Sequence, residues 1–563
     1  MMNKLKMSGQ KKITELLINY SPLYSVVQTG KYYWRGIRQT LNCLENSDCV
    51  RQIKIIEHEI GNTEIRRKQN QCPVMFFNPS SDLVNIGFNT LFCLLTAWSL
   101  RLTGKPVTYL TCRGGLGKCV LGTNRLHPGK PPPCKMCIAH NKLLYPSQYS
   151  HTLPINKHRI QQWKSELASL TIKELEKFKY HGFKVGTLCI PSARWALRRH
   201  SLDDNGLKVL REYIASAVTL VETLEQLFEI QQPRALVLFN GTFFPEATAR
   251  AVAVKHGIPV VTYETGFREL SAFYSHGLAT EYPIEVPSSF AMGSAENTEL
   301  DIYFSRRIKG NFTMAGINFW PEMKSLSREI IQKANDHRQM VTMFTNVIFD
   351  TSQIFANTVF SDMFDWLKET LQIASQNKDT LFIIRAHPDE ARPDKASEET
   401  VEQWLKESGY IKLPNLMFIP PDEYISSYDL IQLSRFCLIY NSTIGIEATI
   451  LGKPVVAGGR SRYSKVGFTY EPSHHTEYRK TLNHFLRTGA VCLPDAWINR
   501  ARRYLYYSLF RTSLDFSGFM EPINRYEYTL KSISTEALDP HRSEEMRIIC
   551  NGIMNLEPFH YKR

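Results

Sequence analysis

The sequence predicts an α/β protein built from two Rossmann-like domains facing a cleft, with helical extensions at both ends. Three observations predict this: a length of 563 residues, two separate series of short β-rich runs alternating with helical patterns, and a polar stretch at 325–338 between the series. A chain of this length exceeds what one hydrophobic core supports, so two domains with extensions is the natural division. Strands that alternate with amphipathic helices form parallel sheets, because a crossover is needed to bring the chain back to the same end of the sheet.

The first series opens with a strand over 73–77, a helix over 85–102 and a strand over 106–111. A longer helix follows over 206–230, where Leu207, Leu210, Ile214, Val218, Val221, Leu224 and Phe228 recur on one face. It leads into a strand over 235–239, the turn Asn240-Gly241-Thr242, a helix over 245–256 and a strand over 259–263. The second series has strands over 340–344, 380–385, 415–419, 436–440 and 454–457, with helices over 360–376 and 444–451, the latter ended by Gly452. The chain then divides into a basic helical N-terminal extension (1–70), a first domain (71–322) with a Cys-rich insert (112–137), a second domain (323–475), and an aromatic helical segment (476–563) expected to brace both.

With 43% hydrophobic and 22% charged residues, the composition is that of a soluble globular protein. The most apolar run, 86–100, is interrupted by Asn89 and Thr90 and closed by Arg101, short of the roughly 20 residues a bilayer crossing needs, and reads as a buried helix. The first ten residues lead into no signal-peptide core, so a cytoplasmic location is expected. A formal net charge of +14 suits phosphate-rich ligands, nucleic acid or an anionic membrane face. No zinc-finger spacing, basic heptad helix or aromatic RNA-binding strand accompanies it, so nucleic acid is not the expected partner. The stretch 11–38 mixes Leu16, Leu17, Ile18 and Trp34 with Lys11, Lys12, Lys31 and Arg35, the pattern of a segment lying on a membrane surface or of a helix with a solvated basic face.

In open α/β sheets, ligands bind beyond the carboxyl ends of the strands, so strand-end residues are the candidates for chemistry. After the 436–440 strand come Asn441, Ser442 and Thr443, where free N–H groups and the hydroxyls offer an anion site or a helix cap, with Glu447 placed to accept from ribose hydroxyls or to compensate the helix dipole. Arg385 and His387-Pro388 end the 380–385 strand and offer cationic and imidazole contacts to phosphate; Asn346 and Asp350 follow the 340–344 strand. In the first domain, Glu264-Thr265-Gly266 puts a carboxylate at a strand end, where it reads as a general base or as a turn carboxylate satisfying backbone donors. Asn240 and Glu246, on the neighbouring strand end and helix start, are candidate acceptor-side contacts.

The set Asn346 with Asp350, Arg385-Ala386-His387-Pro388, Asn441-Ser442-Thr443 through Gly445 and Glu447-Ala448, and Gly452-Lys453-Pro454-Val455 resembles the bacterial capsule polysaccharide biosynthesis family, relatives of the Kdo transferases with a GT-B fold. The His-Pro and Ser/Thr elements are also similar to those of GT-B sialyltransferases. The resemblance implies that Ser442 and Thr443 contact the phosphate of a CMP-sugar donor, that His387 is a phosphate contact or a catalytic acid, and that Glu264 supplies the base. It implies a glycosyltransferase that moves Kdo or another acidic sugar onto a surface polysaccharide or its lipid-linked primer, working at the inner membrane face. A sugar-nucleotide epimerase or glycerophosphotransferase on the same scaffold, or a non-catalytic binding subunit of capsule assembly, are the alternative readings. No Asp-x-Asp occurs, so no catalytic metal is expected, and 114–118 lacks the spacing of a P-loop.

Four of the twelve cysteines, Cys112, Cys119, Cys134 and Cys137, fall in one Gly- and Pro-rich stretch, the last two as a C-x-x-C. In a cytoplasmic protein this reads first as a structural zinc site, with free thiols, a redox pair or an iron–sulfur cluster as the other readings.

Overall fold

The computed structural model describes residues 44–63, 72–79, 86–154, 156–310, 323–392, 395–488, 491–524 and 527–562. The 11–38 stretch and most of the expected N-terminal extension lie outside the described residues. The chain forms two compact units, one of Met1–Leu197, Ser201–Thr280 and Ser513–Arg563, the other of Arg198–His200 and Glu281–Thr512.

The first unit is built on seven strands: β1 (Val74–Phe77), β2 (Val107–Cys112), β3 (Ser150–Leu153), β4 (Ala235–Phe239), β5 (Val260–Thr265), β6 (Ser271–Ser275) and β12 (Leu514–Asp515). They lie in the order β12-β6-β5-β4-β1-β2-β3. The five from β5 to β3 are parallel, while β6 and β12 are antiparallel additions. Alternation along β1 shows why the sheet is buried on both faces. Val74 and Phe76 enter a core with the helices Phe88–Leu102 and Glu544–Asn555, and Met75 and Phe77 enter another with Asp204–Gln231 and Val185–Leu197. The Phe88–Leu102 helix is buried from Thr90 to Arg101, so the most apolar run of the sequence is a core helix. No helix among the described residues is long and apolar enough to cross a membrane.

The second unit carries β7 (Gln339–Phe344), β8 (Thr380–Arg385), β9 (Leu416–Ile419), β10 (Phe436–Ile439) and β11 (Val455–Ala457), all parallel, in the order β11-β10-β7-β8-β9. Numbered within each unit, both parallel sheets have the strand order 3-2-1-4-5 of the Rossmann fold, with the reversal of direction between the first and fourth strands.

The strands named from the sequence are present within a residue or two, but the domain limits differ from those expected. The first unit ends at Thr280 instead of near 322, because the helix Ser294–Ile308 packs in the second unit and joins it through Arg307. The C-terminal segment is divided: the helices His475–Arg487 and Asp495–Tyr506 belong to the second unit, whereas β12 and Glu544–Asn555 belong to the first. β3 and β6 were not legible. Each is only four or five residues long with serine at its start, too little to show a period.

Candidate functional site

In the second unit the strand order reverses between β7 and β10, and a hollow opens at their carboxyl ends. Phe344 at the end of β7 with Thr345 after it, Ala386 and His387 after β8, and Ser442 and Thr443 after β10 line it, so three strand ends separated in sequence meet at one place.

The loop after β10 is fixed from outside. The Tyr463 hydroxyl donates to the Ser442 carbonyl at 2.6 Å, and a side chain on Gly445 would collide with that hydroxyl, which is why the turn needs glycine there. The Ile444 N–H donates to the Ser442 hydroxyl at 3.4 Å, while the Thr443 hydroxyl makes no bond capping the Ile444–Ile450 helix. Across the hollow, the Asp389 N–H donates to His387 Nδ1 at 3.1 Å, so the neutral ring carries its proton on Nε2. Burial pushes the His387 pKa below its ordinary value, which keeps the ring neutral at neutral pH.

Arg307 enters the same hollow from the Ser294–Ile308 helix. Its Nε donates to Glu447 Oε1 at 2.6 Å and its Nη1 to the Tyr303 hydroxyl at 3.3 Å, while the Tyr428 hydroxyl donates to Glu447 Oε2 at 3.0 Å. Burial alone would weaken the guanidinium's hold on its proton, but the Glu447 carboxylate outweighs it and raises the Arg307 pKa well above the ordinary value. The hollow therefore contains a permanent cation whose direction is set by a buried carboxylate.

Residues 316–486 match the family model described as capsule polysaccharide biosynthesis protein. Among solved structures, the chain is similar to the Thermosulfurimonas dismutans KpsC beta Kdo 2,4 transferase, at 12% identity over 50% of this chain and 80% of that one, with a TM-score of 0.34. The KpsC beta Kdo 2,7 transferase of the same organism gives 15% identity over 56% and 87%, with a TM-score of 0.33. The UDP-GlcNAc 2-epimerase from Neisseria meningitidis bound to UDP-GlcNAc gives 13% identity over 77% and 96%, with a TM-score of 0.26. No curated protein matches the chain.

Within the 316–486 stretch, two expected ligand residues that line the hollow also have protein partners. Arg385 is 2% exposed; its Nη1 donates to the Pro420 carbonyl at 2.6 Å and its Nη2 to the Glu423 carbonyl at 2.7 Å, and burial lowers its pKa to about 10. It lines the hollow and ties it to the loop after β9. Glu447, expected to meet ribose hydroxyls, has one carboxylate oxygen on Arg307 and the other on Tyr428. Asn346 is a brace as well, its side-chain oxygen accepting from the Asn441 N–H at 3.4 Å. Beneath His387, Lys395 pairs with Asp350 at 3.0 Å and Asp389 at 3.3 Å. Burial would raise the Asp350 carboxyl, but Lys395 holds it below the usual range.

The first unit brings Glu264 and Asn240 together. Asn240 Nδ2 donates to Glu264 Oε2 at 3.1 Å, and Glu264 Oε1 accepts from the Thr265 N–H at 2.9 Å and the Thr265 hydroxyl at 3.3 Å. A side chain on Gly266 would strike Ser271, whose carbonyl accepts from the Gly266 N–H at 2.7 Å, so glycine is needed for close approach of β6. Glu246, the other candidate acceptor-side residue, is buried at the start of the Glu246–Lys255 helix, and burial raises its carboxyl to about 8.

This burial has a measurable consequence. The unfolded chain ionises Glu246 near the ordinary value of about 4.3, whereas the folded chain keeps it protonated to about 8, so folding stability falls as pH rises through that window. Glu246→Gln should match the wild type in urea unfolding at pH 4.5 and exceed it by roughly 1–3 kcal/mol near pH 8. An advantage that does not change with pH would show that the carboxyl ionises freely in the folded state.

Arg307, Tyr428 and Lys395 were not found by sequence reasoning. Arg307 sits on a helix with no motif around it, and nothing local marks it as different from Arg306.

Proposed function

We propose that the protein is a GT-B-like glycosyltransferase of capsule or surface polysaccharide assembly that binds a nucleotide-sugar donor in the hollow beyond β7, β8 and β10. The observation that carries this reading is the convergence of Ser442, Thr443, His387 and Arg307 at the reversal point of a Rossmann-order sheet. Two hydroxyls, an Nε2–H donor and a guanidinium suit a phosphate that gains charge as the sugar leaves, and fixed donors of this kind stabilise a leaving group without a metal ion. A CMP donor carrying Kdo or another acidic sugar is the favoured substrate, with a glycan or lipid-linked primer at the inner membrane face as acceptor. Glu264, oriented by Asn240 and Thr265, is the group we assign as the base that takes the acceptor hydroxyl's proton.

A thermal-shift series with CMP, CDP, UDP and GDP tests the donor. Ligand at about 100 times its dissociation constant stabilises the folded state by ~2.7 kcal/mol, and CMP is expected to raise Tm where UDP and GDP do not. A larger shift with UDP than with CMP would replace the CMP-sugar with a UDP-sugar, and no shift with any of them would remove the nucleotide reading.

A further inference from the structure

In the first unit, the stretch that carries Cys112, Cys119, Cys134 and Cys137 is held by Leu116 in the core and by a 2.7 Å bond between the Thr123 and Tyr213 hydroxyls, and among the described residues no three Cys, His, Asp or Glu side chains are grouped to hold a metal ion. The buried charges under His387 in the second unit are grouped closely. We propose that Lys395 is a positioning residue of the hollow: it clips the loop after β7 to the loop after β8 and balances the carboxylate charge under His387, so that the ring meets the donor phosphate neutral and in one orientation. This inference rests on the donor site proposed above.

Local chemistry sets His387 at the end of β8. Pro388 opens the short turn Pro388–Glu390, where a missing N–H breaks no bond, and the His387 ring caps that turn by accepting from the Asp389 N–H. Such a cap fixes the imidazole only as firmly as the turn itself is held. Lys395 holds it with both its backbone and its side chain. The Lys395 N–H donates to the Arg392 carbonyl at 2.8 Å and the Ser397 N–H to the Glu390 carbonyl at 3.0 Å, so the backbone around Lys395 lies back on the turn. The Lys395 ammonium donates to Asp389 Oδ2 at 3.3 Å, on the residue whose N–H meets the ring, and to Asp350 Oδ2 at 3.0 Å, on the loop after β7. The Lys395 and Asp389 side chains are 16% and 7% exposed, so water screens their attraction little. A lysine suits this place, because its compact ammonium has three donors that can turn toward two carboxylates at once.

The charge balance follows from the same contacts. Asp350 and Asp389 place two carboxylates beneath the ring, and Lys395 and Arg392, which pairs with Asp389 Oδ1 at 2.7 Å, place two cations there. Arg307, Arg385 and Glu447 are the other charged groups lining the hollow. With the four charges beneath the ring in balance, burial decides the state of the imidazole and pushes its pKa below the ordinary value. Without Lys395 one carboxylate is left over, and an uncompensated anion favours the imidazolium, so the ring then takes up its proton at a higher pH.

The test uses the full chain carrying isotope-labelled histidine, in which the His387 nuclear magnetic resonance signal, one of 16, is the one lost in His387→Gln. In Lys395→Met the midpoint of its titration should move up. In Lys395→Met/Asp350→Asn the clip is still broken but the charges balance again, so the midpoint should return toward the wild type. Calorimetry with CMP supplies the second readout. Lys395→Met should bind CMP about tenfold more weakly at about pH 8, where the ring is neutral and only its hold is lost, and the deficit should shrink toward about pH 6 as the ring gains its proton. Lys395→Arg, which keeps the charge, should recover most of the binding. A midpoint that stays in place in Lys395→Met, a midpoint that stays raised in the double variant, or a binding deficit that does not change with pH, as loss of a purely structural contact would give, would each overturn the proposal. Should Lys395→Met not fold, Lys395→Gln, which can still donate to Asp350, takes its place. If the wild type itself binds no CMP, the nucleotide reading falls, and the ring titration alone decides the role of Lys395.

Discussion

Replacing Arg307 with methionine is expected to lower stability and to abolish the CMP-dependent thermal shift, and the two losses should separate in a second variant. The Arg307 and Glu447 side chains are 12% and 4% exposed, so their attraction is little screened by water. Removing one partner of a buried pair leaves the other charge uncompensated, at a cost of about 3–5 kcal/mol, even though Tyr428 still donates to Glu447. In Arg307→Met/Glu447→Gln no charge is left unpaired, and the glutamine oxygen can still accept from Tyr428, so most of the stability should return. The cation in the hollow does not return, so nucleotide stabilisation should stay absent. A double variant that recovers both stability and the full CMP shift would make the pair a brace between elements of the second unit and remove Arg307 from the donor site.

The second large effect is on the chemical step. Glu264→Gln preserves the size of the side chain but has no carboxylate to take a proton, and loss of a general base costs about 10^2 to 10^4 in rate. The fall should appear in kcat, with KM for the donor and the CMP thermal shift unchanged, because the donor contacts are assigned to the hollow of the second unit. Asn240→Ala, which removes the donor to Glu264 Oε2, should cause a smaller fall through misorientation of the carboxylate. A kcat within about twofold of the wild type for Glu264→Gln would leave this carboxylate as a turn element that satisfies Thr265 and Asn240.

Much of the fold was legible because the signals for it are local. The apolar runs at β7, β8 and β10 and the helical spacing of the Asp204–Gln231 helix can be counted within a few residues, and crossover rules then place the ends of such strands on one edge. The meeting of His387 with Ser442 and Thr443 follows from that topology. The domain limit was not legible, since the Ser294–Ile308 helix has no local mark showing which sheet it will join. β12, likewise, reaches its partner β6 only after the chain has passed through the whole second unit.

By itself the sequence determined the order of strands and helices, the glycines at the tight turns, and the loops that carry the polar residues, since periodicity and turn chemistry act between near neighbours. Only the tertiary structure decided which partner each of those polar groups takes. Arg385 is engaged by backbone carbonyls of the 420–423 loop, Glu447 by an arginine 140 positions away, and Asn240 by Glu264 on the next strand. The physical reason is that a buried charge or donor takes whichever partner folding brings within about 3 Å, and that choice depends on distance in space and not along the chain.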